Sequence, residues 1–182
     1  MARAPLTQSA PYSPGPVVRL WLTLSSLVVL WDAGFCLTRP RSFEGGDLFW
    51  LYRPYLLYEK TDFVYSRAAF EQGYGFTAAQ AWMNLVETAL NFLALFLFRR
   101  QSPLGVLVGF TGTLMTASKT ILYWLYDHQG DWVFTGHNSR RDWWLLFALP
   151  NGLWIVFPTV LAVLFGRQIA RSLQVAAKTK SL

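Results

Sequence analysis

Gln80, Asn84, Glu87 and Asn91 follow one another at spacings of four, three and four inside the otherwise apolar stretch Phe76 to Phe98. Such spacings place residues on one face of an α-helix, so this is a polar stripe with a carboxylate at its centre. The stretch is long enough to cross a bilayer, for which about 20 residues suffice. A carboxylate at that depth is costly and faces a bundle interior or a cavity rather than lipid. Asp32, Lys119 and Asn151 stand in comparable apolar surroundings elsewhere in the chain. Two carboxyls in a dry, aromatic setting suit proton transfer to and from carbon. A protonated carboxyl gives a proton to an alkene, a second group removes one nearby, and ring faces stabilise the cation formed meanwhile. The outcome is a shifted double bond or a closed ring. A greasy ammonium ion mimics that cation and fits the same site.

Other chemistries lack their parts. No nucleophile has a base beside it, which argues against acyl transfer. His128 and His137 share one loop without ligand spacing, and Cys36 is the single cysteine, so neither a metal nor a disulfide is expected. No Walker motif and no G-x-G-x-x-G is present to cradle a nucleotide, and no cofactor is expected.

The elements that must hold these groups are membrane helices. Residues are 53% hydrophobic and 14% charged, too few charges to cover a soluble domain of 182 residues. The pattern predicts an all-α integral-membrane bundle of four spans: Val17–Thr38, Phe76–Phe98, Pro103–Tyr126 and Trp143–Gly166. A cleaved signal peptide is the rival reading of the first, but Trp31, Asp32 and Phe35 make a poor cleavage site. Residues 1–16, with four prolines, are expected to be a disordered arm, and 167–182 a basic tail. Leu48–Tyr58 reads as an aromatic, amphipathic segment at the interface. Trp143 and Trp144 read as interfacial belt. Gly105 and Gly109, at small-xxx-small spacing, predict close helix packing in the third span.

The two ends and the 99–102 connection carry Arg3, Arg19, Arg99, Arg100, Arg167, Arg171, Lys178 and Lys180 and no acidic residue. The positive-inside rule then places both termini in the cytosol. The net charge of +6 is read as topology and attraction to anionic membrane lipids, not as nucleic-acid binding. Lys178 and Lys180 near the end look like a dilysine retrieval signal of the endoplasmic reticulum, with a merely basic tail as the alternative.

At about 1.5 Å of rise per residue, Asp32, Lys119, Asn151 and Glu87 lie roughly 9, 10, 12 and 18 Å below the non-cytosolic edge. Four polar groups from four spans thus meet in one half of the membrane, with Trp31, Trp82, Tyr123, Trp124 and Trp154 at similar depths. Lys119 pairs with Asp32 or Glu87, or takes part in the chemistry. Gln80 and Asn91 read as hydrogen-bonded joints between helices.

Several segments together resemble the EXPERA superfamily, which holds emopamil-binding sterol isomerases and sigma-type receptors of lipophilic amines. The nearest is Pro150-Asn-Gly-Leu-Trp-Ile-Val-Phe-Pro158, similar to the last-span motif of the isomerases. Val86-Glu87-Thr88, Leu30-Trp-Asp32-Ala-Gly-Phe35, Tyr58-Glu-Lys-Thr-Asp62-Phe-Val-Tyr65, Leu122-Tyr-Trp124 and Gly136-His137 resemble other family segments in the same order. Phe76-Thr-Ala-Ala-Gln-Ala81 resembles fungal members. The resemblance implies a four-helix fold, with Asp32 and Glu87 as catalytic acid/base pair. It also implies that Asn151 and Trp154 line a sterol site, with Asp62, Tyr65 and Tyr123 in family-like segments around it; Asn84, from the polar stripe, and Lys119, by its depth, complete the expected binding surface. A sterol or terpenoid lipid is then the expected partner, with lipophilic ammonium ligands and a possible homodimer. Two positions depart from the isomerases: Val28 stands where they have a histidine, and Asp32 where they have a glutamate. Asp at that place is the sigma-type residue, so non-catalytic binding is the alternative to isomerisation or cyclisation. Lys119 has no family counterpart.

Overall fold

The computed structural model describes residues 13–180. The arm expected at 1–16 falls largely outside them, as do residues 181–182. The first span is α1, Pro16–Leu37, with proline opening its first turn, where a missing N–H costs nothing. A connection of short elements follows: α2 (Phe49–Tyr52), α3 (Tyr55–Thr61), a 3₁₀ turn (Phe63–Tyr65) and α4 (Arg67–Glu71). Then come α5 (Phe76–Arg99) and α6 (Leu104–Gln129). A single turn, α7 (Arg140–Asp142), leads through a π-helical stretch, Trp143–Ala148, into α8 (Leu149–Lys180). No strand occurs among the described residues. Four helices are long and apolar enough to cross a membrane: α1, α5, α6 and the run from Arg140 to Thr179. The chain is an all-α, multi-pass bundle, as its periodicity predicts.

The last helix differs from expectation at both ends. It runs on to Lys180, and the helical run Arg140–Thr179, 40 residues long, spans about 60 Å at 1.5 Å each, twice a bilayer's hydrocarbon core. The basic tail therefore prolongs the helix outward. At the other end, Pro150 lacks an N–H, and its ring crowds the carbonyl one turn back. The wider π-helical turn before it accommodates that break, and such turns occur often at functional sites.

Packing runs in a row: α1 on α5, α5 on α6, α6 on α8. Glycines set the closest approaches. A Cβ on Gly109 would meet the Phe165 ring at 3.1 Å, and one on Gly112 would meet Asn91 Oδ1 at 2.9 Å. Gly105 backs onto the Phe98 ring in the same way, so the small-residue face extends one turn further than Gly105 and Gly109 alone indicate. In the half nearer the termini, Leu22, Ala94, Phe98, Val106, Leu161 and Phe165 close a dry cluster.

The two loops at the other end interlock into a cap. Gly45, at φ 87°, turns the first loop back on itself. Phe63 N–H donates to Phe134 O, and Asn138 Nδ2 to Thr61 O at 2.7 Å. His137 Nε2 donates to Lys60 O at 2.7 Å while its ring stacks on Phe63. Asp127 ties the second loop by accepting from Phe134 N and Thr135 Oγ1. Within the cap, Tyr52 and Tyr55 are buried, whereas Trp50 and Leu57 are 75% and 58% exposed. The segment read as lying at the interface thus has an outward apolar face, but its tyrosines roof the bundle. Trp143 corrects the belt expectation: it turns inward, donating Nε1 to Thr135 Oγ1 at 3.1 Å. Trp144 remains 60% exposed.

Candidate functional site

Beneath the cap, the spans separate around a cavity of about 420 Å³. Each of the four contributes: Asp32 from α1, Asn84 from α5, Lys119 and Tyr123 from α6, and Asn151 and Trp154 from α8. Tyr55, Tyr58 and Tyr65 close it from the loop, and Val28 and Val29 line the α1 side.

The polar stripe of α5 faces inward over its whole length. Asn84, Glu87 and Asn91 are 2–4% exposed. Its outer members join helices: Gln80 Nε2 donates to Lys119 O at 3.2 Å, and Asn91 Nδ2 to Ser26 Oγ at 3.1 Å. Its middle builds the site. Tyr55 Oη donates to Asp32 Oδ1 at 2.7 Å, and Asn84 Nδ2 donates to Asp32 Oδ2 at 3.1 Å. The other end of the same amide, Oδ1, accepts from Lys119 Nζ. Lys119 Nζ also lies 3.1 Å from Glu87 Oε2, an ion pair whose alignment falls short of a hydrogen bond, so that Oε2 has no hydrogen-bond partner. Asn84 can be oriented only this way, since a carboxylate takes only donors and an ammonium only acceptors. A continuous polar chain therefore runs Tyr55, Asp32, Asn84, Lys119, Glu87 across α1, α5 and α6.

Glu87 corrects the expected pairing of two carboxyls. It is 2% exposed and does not line the cavity. It stands behind Lys119 as its counter-ion. Asp32 is the carboxyl at the wall, and its partial exposure is to the cavity.

Asp62 also lies behind the wall. It is 1% exposed, accepts Val64 N–H at 3.1 Å, and takes the Tyr123 hydroxyl. Burial, reinforced by the nearby charges of Asp127 and Asp32, pushes its carboxyl well above the usual carboxylate range. Burial likewise raises the phenols of Tyr55, Tyr58 and Tyr65, with Asp32 or Asp62 adding to it, so they stand as neutral hydrogen-bonding groups.

Asn151 reaches the cavity without joining the polar chain. Its amide donates to Tyr58 Oη at 3.1 Å and to Phe147 O at 2.9 Å. Trp154 Nε1 is buried without a protein partner, a donor left over at the wall. Trp154 also packs its ring 5.6 Å from Trp21, and Trp21 stacks on Phe157 at 4.3 Å. These rings bridge α1 and α8 at the foot of the cavity. Trp82 and Trp124, expected around the site by depth, do not line it, and Trp82 is 64% exposed.

No family model matches the chain, and no curated protein matches it. The site must therefore be read from its own geometry. No group of three or more His, Cys, Asp or Glu that could hold a metal occurs among the described residues. Tyr55 and Thr77 are wall residues that periodicity does not flag. Tyr55 stands in an aromatic run whose turns are set by the cap, and Thr77 anchors Arg39, whose Nη2 donates to it at 2.7 Å.

The arrangement can do three things. It can hold an apolar, ring-sized ligand. It can present one carboxyl to that ligand, with Trp31 and Tyr55 packed 4.9 Å apart beside it. It can offer a cation one amide away from the carboxyl.

Proposed function

We propose that this protein is a membrane-embedded double-bond isomerase acting on a sterol or another polycyclic terpenoid lipid, as a member of the EXPERA superfamily. The observation that carries the reading is Asp32: a carboxyl held by Tyr55 and Asn84 at the wall of a ring-lined cavity. A single carboxyl is sufficient for the shift. Protonated Asp32 gives its proton to one alkene carbon, and the electron pair of the double bond forms the new C–H bond. The cation left on the other carbon lies against the aromatic faces. The carboxylate just formed removes a proton from the next carbon, whose C–H pair becomes the new double bond. Asp32 ends protonated, as it began. Where a second double bond captures the cation first, the same start closes a ring. Glu87 acts through Lys119 in this reading, as a positioning residue. The endoplasmic reticulum and cytosolic termini belong to the same proposal, on the family resemblance and on the basic residues that flank the spans.

The test is a panel of sterol alkenes offered to the full chain in lipid nanodiscs in heavy water, with deuterium uptake and bond position read by mass spectrometry. Wild type is expected to give a shifted, deuterated product and Asp32→Asn none. Equal uptake by both proteins removes Asp32 from the chemistry.

A second reading has its own observation. Both Asp32 oxygens accept hydrogen bonds, the pattern of an ionised carboxylate among aromatic rings, which suits a lipophilic ammonium ligand. Tight, Asp32-dependent amine binding with no deuterated product from any sterol would favour that binding protein over the isomerase.

A further inference from the structure

Lys119 is the one cation at the cavity wall among the described residues. An ammonium has three donors. Asn84 Oδ1 takes one, and Glu87 Oε2 stands at 3.1 Å from the nitrogen. Glu87, buried behind it, matches its charge, and Asn84 fixes its place relative to Asp32. Nζ makes no other hydrogen bond or ion pair among the described residues, which leaves its third N–H for the cavity. The side chain is 12% exposed, and it lines the cavity. A buried donor on a charged group is costly to leave unpaired. Much of the remaining lining is aromatic or aliphatic, as at Val28, Trp31, Leu146 and Trp154. An acceptor on a ligand in the cavity would supply the partner.

The network also sorts the two charged groups by role. Asp32 accepts at both oxygens, as a base does. Lys119 donates, as an oxyanion stabiliser does. A base and a cation held one side-chain amide apart match a ketone and its neighbouring C–H, because a carbonyl oxygen and its α-hydrogen are separated by a similar span. An alkene without oxygen would use Asp32 and leave Lys119 idle.

We propose that the lipid this cavity takes carries a ketone next to the reacting double bond, with its oxygen seated on the third N–H of Lys119. This rests on the isomerase reading and names its substrate class: an unconjugated polycyclic enone. The proton shift then runs through a dienolate in place of a carbocation. Asp32 carboxylate removes the α-proton, and that C–H pair becomes a carbon–carbon double bond. The carbonyl π pair moves onto oxygen, where Lys119 holds it. The carbonyl then re-forms, the double bond moves into conjugation, and the γ-carbon takes the proton back from Asp32. Nothing is oxidised, and no co-reactant is consumed. This route starts from the Asp32 carboxylate where the route for a plain alkene starts from the acid, and two donors on Asp32 suit the carboxylate.

The experiment uses the full chain in lipid nanodiscs and two arms. In the first, binding of cholestenone is compared with binding of the matching hydrocarbon, cholestene. The variant is Lys119→Met combined with Glu87→Gln, which removes both charges together and leaves no lone buried carboxylate. Thermal unfolding in the same nanodiscs confirms that it stays folded, and the wild-type comparison stands without any variant. Wild type is expected to prefer the ketone by about tenfold or more, as one charge-assisted hydrogen bond supplies. The double variant is expected to lose that preference. No ketone preference in wild type, or a preference that survives the double variant, overturns the proposal.

In the second arm, the unconjugated isomer of cholestenone is incubated in heavy water, and conjugation is followed by ultraviolet absorbance and deuterium uptake. Conversion that stops in Asp32→Asn and slows about a hundredfold or more in the double variant is the expected result. A Lys119-dependent ketone preference with no conversion would leave the carbonyl seat standing and sink the isomerase reading. Conversion of sterol alkenes without a ketone, unchanged in the double variant, would leave the isomerase standing and sink the carbonyl seat.

Discussion

The same four spans behave as two different molecules at their two ends. In the half nearer the termini, Leu22, Phe98, Val106, Leu161 and Phe165 fit against one another and against glycine faces, and the polar contact at their inner edge is the neutral Asn91–Ser26 hydrogen bond. In lipid, little hydrophobic drive brings helices together, so close packing of this kind supplies the association. In the capped half the helices are held by a charge chain and by stacked rings, and they stand apart around a cavity. One end stores stability, and the other spends it on a site. The lesson is that a polar network in a membrane bundle can keep helices from closing while still tying them together.

The largest way to break that comparison is to cut the network at its cation. Lys119→Ala leaves Glu87, 2% exposed, as a buried carboxylate without its counter-ion. Removing one partner of a buried pair costs about 3–5 kcal/mol. The expected result is a large drop in thermal stability in detergent, recovered in part when Glu87→Gln is added. If the single variant is as stable as wild type, the ion pair does not hold the cavity half together.

Phe165→Ala attacks the other end. The ring is fully buried against Gly109 and Phe98. Lipid-facing surroundings reduce the transfer part of the cost, so the cavity part dominates, about 2 kcal/mol. Stability should fall while ligand binding in the far half is unchanged. Loss of binding at a temperature where the variant is still folded would show that the two halves are coupled.

Tyr55→Phe is a finer cut. It removes one of the two donors on Asp32 and keeps the ring, stacked on Phe35 at 3.7 Å. A hydrogen bond to a charged group is worth about 1.5–3 kcal/mol, and part of it is recovered if a water or ligand replaces the hydroxyl. The expected outcome is a folded protein whose Asp32-dependent turnover falls about tenfold. Unaltered turnover would make Tyr55 a packing residue only.

How far the sequence carries follows from what each signal encodes. Apolar length and period mark the four spans, and depth along them brings Asp32, Lys119, Asn151 and Glu87 into one half of the membrane. Depth says nothing about rotation. Residues three apart on a helix differ by about 60° around its axis, which is enough to aim Asn84 at the cavity and Glu87 behind Lys119. Trp82 shares the site's depth yet faces outward for the same reason. The cap is the least legible part. Its course depends on a glycine turn at Gly45 and on loop-to-loop bonds between residues far apart in sequence, such as Phe63 with Phe134. Tyr55 reaches Asp32 only because that path closes over the bundle.

The smallest expected effect is at Asp62, and its sign is set by burial. The folded protein raises this carboxyl well above its ordinary range, because it is buried beside Asp127 and has no cation at hand. The unfolded chain leaves it ordinary. Folding therefore takes up a proton between the two values. The stability linked to Asp62 is fully present below the ordinary carboxylate range and is lost as pH rises through the raised value. Asp62→Asn fixes a neutral form in place: its Oδ1 accepts from Val64 N–H, and its Nδ2 donates to the Tyr123 hydroxyl oxygen, which reverses that bond. Wild type and variant should match in acid. The variant should then gain on the order of 1 kcal/mol as pH rises, since one pH unit of such linkage is worth about 1.4 kcal/mol at most. Thermal unfolding across a pH series measures this. Ligand binding should stay level throughout, because Asp62 lies behind the wall that the ligand meets. A variant that loses stability at neutral pH would mean that the carboxylate itself, and not the neutral acid, holds Tyr123 in the cap.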